Sequence, residues 1–479
     1  MGKKKIVMVG AGSLVFCKML LSDIMATSAL AGSEIALLDV DESKLRSMEV
    51  FARRMLADND SSFQISATLD RKEALKDADF VVVMIQVGGM RAFDVDYNVP
   101  LKYGVDQCIG DTLAPGGIFR GLRTIPLLLA IAADMEKYCK PQAIMLQYAN
   151  PMAINCLALG KASRISFVGL CHGVQTTLTQ IAHYCQVPNK DEIRYTCGGI
   201  NHMDWFLTLE HNGRDLYPRL RQLFEKPEYY KSEKVRGEVF RHFGYFMTET
   251  TGHLSEYLPW FRKNKEALEL YCDEPGFGGE TGAYYKWSQM VTRKYADHDP
   301  LEFETTKLDE RSVEYCACIM EAVVTDKPFR FMGNVRNDGF ISNLPKGCCV
   351  EVPTFADAMG LHPSVIGQLP PQCAAACMTN VNVQTLAAEA TLNREPEHVV
   401  HALALDPLTA AVCTLKEIRD MSIEMLEAER EWLPQFTGKQ IQPRRTISIP
   451  KGCKEVDIPM DPAQAIMKRF IKLAEQKIE

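Results

Sequence analysis

The sequence predicts an α/β fold: a Rossmann-like, doubly wound parallel sheet followed by a C-terminal α+β domain. Three observations carry this. Short apolar runs alternate with helical runs over the first 170 or so residues. The first apolar run ends in the glycine turn Gly10-Ala11-Gly12-Ser13, which opens a helical segment. Beyond about residue 175 the alternation gives way to a hairpin pattern and then to long helical stretches.

In chain order, Lys5–Val9 is a short β-rich run and residues 15–26 have helical spacing. Glu34–Leu38 is the second strand and residues 42–57 an amphipathic helix. Residues 78–85, with Phe80-Val81-Val82-Val83, are a continuous apolar strand of the kind buried on both faces of a parallel sheet. Residues 124–138 read as a helix, 142–147 and 165–170 as strands, and 176–185 as a helix. Residues 193–209 are β-like and lead into the turn His211-Asn212-Gly213. Residues 214–330 are more polar and mostly helical. Segments 330–336 and 347–352 look like strands flanking Asn337-Asp338-Gly339, and 374–432 is helical. The stretch past Pro434, with Pro443, Pro450 and Pro459, is irregular until a closing helix. The expected division is 1–195 for the dinucleotide domain, 196–460 for the α+β substrate domain, and 461–479 for a tail helix.

At 479 residues the chain is long enough for two or three cores. With 47% hydrophobic and 24% charged residues it reads as globular. A net charge of −7 argues against a nucleic-acid partner, which needs a clustered basic surface. Apolar stretches such as 125–133 fall short of the roughly 20 residues that cross a bilayer, so no membrane partner is expected. The apolar run after Lys3-Lys4-Lys5 is too short for a signal peptide, and sixteen cysteines without framework spacing suit free thiols. A cytoplasmic protein is expected.

Glycines in Gly10-Ala11-Gly12-Ser13 let backbone approach a pyrophosphate at a helix N-terminus. The third glycine of the usual fingerprint is missing, so position at the start of a β-α-β unit carries the reading. Asp39, ending the second strand, would accept from ribose hydroxyls and favour NAD over NADP. Gln86, just past the 78–85 strand, completes the expected cofactor-binding set of Gly10, Ala11, Gly12, Ser13, Asp39 and Gln86. A tight turn without ligand, with Asp39 capping a helix, is the bland alternative.

A thiol and an imidazole, Cys171 and His202, stand just past strand ends, where α/β sheets bind ligands. Both are metal-ligand types, and Asn150, ending another strand, could add a carbonyl. A mixed sulfur, nitrogen and oxygen set suits a catalytic divalent ion better than a structural zinc. On spacing alone, a buried thiol and a core histidine fit as well.

The chain resembles family 4 of the glycoside hydrolases, the NAD- and metal-dependent glycosidases, over most of its length. The residues concerned are Gly10-Ala11-Gly12-Ser13; Gly110-Asp111-Thr112 with Gly116-Gly117 and Arg120 to Pro126; Asn150-Pro151-Met152-Ala153; Gly169-Leu170-Cys171-His172; and Gly199 to Met203. Gly333 to Gly339 and Asn382 to Leu386, with the Gly110–Pro126 segment, look most like the α-galactosidase (melibiase) branch. The family is an exception to the scheme of two flanking carboxylates, and no persuasive acid pair stands in this sequence.

The resemblance implies hydrolysis of α-galactosides or a related α-hexoside by a redox-assisted elimination. NAD⁺ oxidises C3, a divalent metal (most often Mn²⁺) assists C2 deprotonation, the aglycone leaves, and hydration and re-reduction follow. It implies Cys171 and His202 as metal ligands, and Asp111, Asn150, Asn201 and Arg336 as sugar-binding residues. His172 is the candidate for assisting the leaving group and argues against 6-phosphosugars. A homo-dimer or homo-tetramer is implied as well.

Two positions depart from the pattern. Gly173 stands where the α-galactosidases usually have serine, which opens α-glucosides and α-glucuronides. The Tyr or Asp base of the family falls near Thr250 or Thr251, neither a credible base, so Tyr257 is the candidate, with Glu249 and His253 nearby. An NAD-dependent 2-hydroxyacid dehydrogenase shares the nucleotide fold but needs no metal thiolate, and an NAD-responsive binding protein would need no metal.

Overall fold

Apolar β-branched runs flanked by polar turns become the parallel half of one sheet. In the computed structural model, which describes residues 3–475 apart from 14, 296–298, 300, 303, 309, 455 and 457, the first six strands are β1 (Lys5–Val9), β2 (Glu34–Leu38), β3 (Gln64–Thr68), β4 (Phe80–Val83), β5 (Ile144–Gln147) and β6 (Ser166–Gly169). They lie in the order β3-β2-β1-β4-β5-β6, all parallel, so β1 and β4 flank the point where the strand order reverses. Every residue of β4 is buried, as its unbroken apolar sequence requires.

The other strands are β7 (Ile193–Ile200), β8 (Met203–His211), β9 (Arg214–Asp215), β10 (Phe246–Met247), β11 (Phe329–Arg336), β12 (Cys349–Asp357) and β13 (Gly360–Pro363). They extend the same sheet in antiparallel fashion from β6 through β11, β12, β7 and β8 to β10. Two narrow joints make this connection, Asn334 opposite Gly169 and Glu351 opposite Gly199. Each joint adjoins a loop that carries a candidate ligand, Cys171 after β6 and His202 after β7.

Contacts divide the chain into Met1–Pro443 and Arg444–Glu479. Residue 195, the expected domain limit, lies within β7 of the continuous sheet, and 460 lies within the second unit. Among its described residues the second unit has no strand, and its helix Pro462–Glu475 is exposed.

Helix Ala114–Tyr138 is longer than its expected 124–138. Its start, Ala114-Pro115-Gly116-Gly117, lies before the expected helix, and Pro at the first turn of a helix forfeits no hydrogen bond. Among the described helices it alone is long and apolar enough to cross a bilayer, yet 72% of that window is buried inside the protein. Strand β3 and helix Gly89–Lys102 are further elements beyond the sequence expectations.

Candidate active site

The chain turns sharply after β1. Gly10 has φ +85°, and its N–H and that of Ala11 donate to Leu38 O at 2.9 and 3.1 Å. A Cβ on Gly10 would stand 2.9 Å from Met84 O, so only glycine fits the turn beside the end of β4. Gly12 N–H donates to Asp39 Oδ2 at 2.7 Å, and Asp41 N–H to Oδ1 at 2.9 Å. Asp39 therefore holds the glycine turn, and its remaining lone pairs are its capacity toward a ribose. Helix Phe16–Met25 begins directly after the turn, and Gln86 is exposed beyond β4. Glycine turn, helix N-terminus and strand-order reversal together form a crevice that suits a dinucleotide.

Cys171 and His202, expected as ligands, are brought together, and Glu249 joins them. Their ligand atoms all lie within 4.8 Å of one another. Glu249 Oε1 is 3.9 Å from Cys171 Sγ and 3.9 Å from His202 Nε2. Both His202 (φ 62°) and Glu249 (φ 74°) occupy left-handed backbone, a cost that tight turns at functional sites commonly carry. Burial pushes the His202 imidazole down to about 4, which leaves it neutral as ligation requires. Burial and the Glu249 charge push the Cys171 thiol well up, so its thiolate needs a cation beside it. One thiolate, one imidazole and one carboxylate suit a divalent transition ion.

The surroundings fix these groups. Tyr257, expected as a base, is buried, and its hydroxyl lies 3.3 Å from His202 Nδ1. Burial raises its phenol well above the ordinary range, and the hydroxyl is placed to partner the histidine's far nitrogen. His253 stands edge-on to His202 with ring centroids 4.7 Å apart, and its Nδ1 is 3.7 Å from Glu249 Oε2. Asn201 donates Nδ2 to Glu351 Oε2 at 3.1 Å, which anchors the β7–β8 turn to β12.

Asp111 lies in the loop before helix Ala114–Tyr138. Its Oδ2 accepts Asn150 Nδ2 at 3.0 Å and is 3.8 Å from Arg120 Nη1, while its Oδ1 is buried with no hydrogen-bond partner among the described residues. Arg120 Nε and Nη1 likewise have no hydrogen-bond partner among the described residues. Unpaired buried groups of this kind point to a polar ligand. The Asp111 charge acts on His202 against the effect of burial, so the two clusters are neighbours. His172 is half-exposed, and its Nδ1 is 3.0 Å from the buried Glu314 Oε1. That hydrogen bond raises the imidazole above its usual range.

Arg336 is not brought to this cluster. It ends β11, donates Nη1 to Gly160 O at 3.0 Å and pairs with Asp338 at 3.4 Å. Because β11 runs antiparallel to β6, residues past Asn334 lead away from Cys171. Sequence reasoning weighed Glu249 only as a base and missed Glu314 and Glu351. None of the three sits in a spacing motif, and long-range packing alone brings them in.

Two family models match: "Family 4 glycosyl hydrolase" over residues 5–187 and its C-terminal domain over 197–409. An α-galactosidase of Rhizobium meliloti (strain 1021) is 39% identical over 443 residues, covering 91% of this chain and 90% of its own. One of Bacillus subtilis (strain 168) is 38% identical over 90% of this chain and 100% of its own. An α-glucosidase of Erwinia rhapontici is 31% identical over 90% and 98%. Among solved structures, Bacillus subtilis LplD superposes with a TM-score of 0.79 at 25% identity over 89% of this chain and 100% of its own. A Thermotoga maritima 6-phospho-β-glucosidase, solved with manganese, NAD⁺ and glucose-6-phosphate, gives 0.73 at 21% identity over 89% and 98%, a likeness of fold.

Proposed function

The chain belongs to family 4 of the glycosyl hydrolases, and from that premise we propose that it is an α-galactosidase that works with bound NAD and a divalent metal, Mn²⁺ first. The observation that carries the reading is the convergence of the Cys171, His202 and Glu249 ligand atoms within 4.8 Å of one another, just past the end of a strand in the sheet that also bears the glycine turn. The 39% and 38% identity to α-galactosidases supports the sugar.

When bound, NAD⁺ supplies a reversible hydride acceptor and the metal a Lewis acid for neighbouring sugar oxygens. The glycine turn held by Asp39 would receive the cofactor's phosphates. Cys171 and His202 would hold the metal, with Tyr257 fixing the His202 ring through Nδ1. Asp111 and Asn150 take sugar hydroxyls, Asp111 through its unpaired Oδ1. His172, held by Glu314, keeps a proton available for the departing oxygen.

Gly173 favours a second reading, α-glucoside or α-glucuronide hydrolysis, because serine marks α-galactosidases at that place in the resemblance. We also place the protein in the cytoplasm, since all sixteen cysteines are free and a thiolate ligand needs reducing surroundings.

The test is a panel of nitrophenyl α-galactoside, α-glucoside and α-glucuronide with Mn²⁺, NAD⁺ and a thiol reductant. The highest kcat/KM is expected on the galactoside, with activity lost when NAD⁺ or metal is removed. A C2-deuterated substrate should lose its label to solvent during turnover. Full activity in NAD-free, chelator-treated enzyme without exchange defeats the reading.

A further inference from the structure

Residue 173 is where the sequence departs from its resemblance, and the structure shows what the departure accommodates. A Cβ on Gly173 would overlap Glu249 Oε1 and stand 3.7 Å from Cys171 Sγ. The space a side chain at 173 would fill is the space the Glu249 carboxylate occupies. That carboxylate puts one oxygen at equal distances, 3.9 Å, from Cys171 Sγ and His202 Nε2. Its other oxygen lies 3.7 Å from His253 Nδ1, which is itself 3.2 Å from Thr250 Oγ1.

Resting on the metal-site reading above, we propose that Glu249 is a third protein ligand of the catalytic metal, admitted by the absence of a side chain at Gly173. Three protein ligands leave half of an octahedral shell open for substrate oxygens and water. They also add a negative charge to the site, so this chain should hold its metal before substrate arrives. Glu249 is the carboxylate that already stands beside the thiol, with Oε1 3.9 Å from Sγ.

The two residues give a test that leaves the fold intact. At Gly173 the obstructing atom is the far end of a flexible side chain, so Gly173→Ala displaces the carboxylate rather than the backbone. Mn²⁺ affinity is measured by electron paramagnetic resonance on the NAD⁺-loaded, metal-stripped full chain without substrate. Glu249→Gln and Gly173→Ala should each weaken Mn²⁺ by at least the ~10-fold that loss of an outer partner of a metal ligand costs. The double variant should be no weaker than either single one, since both remove one interaction. The ligand-field spectrum of the Co²⁺-loaded chain should change alike in both. Cys171→Ser separates the two readings. If it loses Mn²⁺ while Glu249→Gln keeps wild-type affinity, the third ligand is wrong and the site stands, whatever happens to kcat. If Cys171→Ser also keeps wild-type affinity, the metal-site reading itself falls.

Discussion

Asn150 donates its side-chain amide to Asp111 Oδ2 at 3.0 Å, tying the loop after β5 to the loop before helix Ala114–Tyr138, while Asp111 Oδ1 is buried with no hydrogen-bond partner among the described residues. A buried acceptor left unmade is costly, so a ligand hydroxyl that reaches it gains more than one bound at the surface. Asp111→Asn should forfeit a hydrogen bond to a charged group, about 1.5–3 kcal/mol, or roughly 10- to 100-fold in kcat/KM. Mn²⁺ affinity should change far less. Steady-state kinetics with an aryl α-galactoside checks this, and an unchanged kcat/KM removes Asp111 from the sugar site.

The cofactor turn makes a separate prediction. Gly10 sits at φ +85° with Met84 O where a Cβ would come to 2.9 Å. Alanine there adds roughly 1–2 kcal/mol of left-handed strain to that contact. NAD⁺ affinity should fall about tenfold or more, read by fluorescence titration. A Gly10→Ala chain that binds NAD⁺ as wild type would mean the turn does not receive the cofactor.

These two sites differ in how far the sequence exposes them. The glycine turn follows a β-rich run directly, so local pattern suffices to find it, and the unbroken apolar run Phe80–Val83 marks its partner strand. Cys171 and His202 are visible as residue types near strand ends, but their meeting depends on two single-pair joints in the sheet. Glu249 carries no local signal. It stands on irregular backbone before the short helix Thr251–Tyr257 and fits only because a residue far away in sequence lacks a Cβ. Arg336 shows the reverse, a motif residue that strand direction carries away from the site.

Glu256 joins the same short helix to the Asp111 loop. Its Oε1 accepts the N–H groups of Cys108 and Ile109 at 2.6 Å each, and its Oε2 that of Gly110 at 3.1 Å. Burial raises the carboxyl from 4.5 to about 7. A raised carboxyl keeps its proton in the fold after the unfolded chain has lost it. Its contribution is thus fully present below pH 4.5 and is lost as pH rises to about 7, by roughly 3 kcal/mol in all. Glutamine does not titrate, so Glu256→Gln should compare better with wild type at pH 8 than at pH 5. Burial raises Glu351 and Asp406 too, but they remain in both proteins and cancel. Urea unfolding from pH 5 to 8 decides it, and parallel stability curves would show that Glu256 does not titrate in this range.

His172 makes the last prediction, because its ion pair with Glu314 at 3.0 Å serves a proton donor and a structural histidine equally well on geometry alone. The hydrogen bond that His172 Nδ1 donates to Glu314 raises the imidazole and keeps it charged more of the time, as a donor to a departing oxygen requires. Nitrophenolate leaves without a proton, whereas a sugar alcohol does not. His172→Gln should therefore change kcat on a nitrophenyl α-galactoside only a few-fold and cut kcat on a galactosyl disaccharide by ~10²–10⁴, the usual reach of general acid catalysis. Glu314→Gln should act in the same direction and less strongly, since it removes the orienting partner and leaves the donor. A structural histidine would instead lower both substrates together, along with thermal stability. Equal losses on the two leaving groups would therefore assign His172 to holding the Cys171 loop rather than to the reaction.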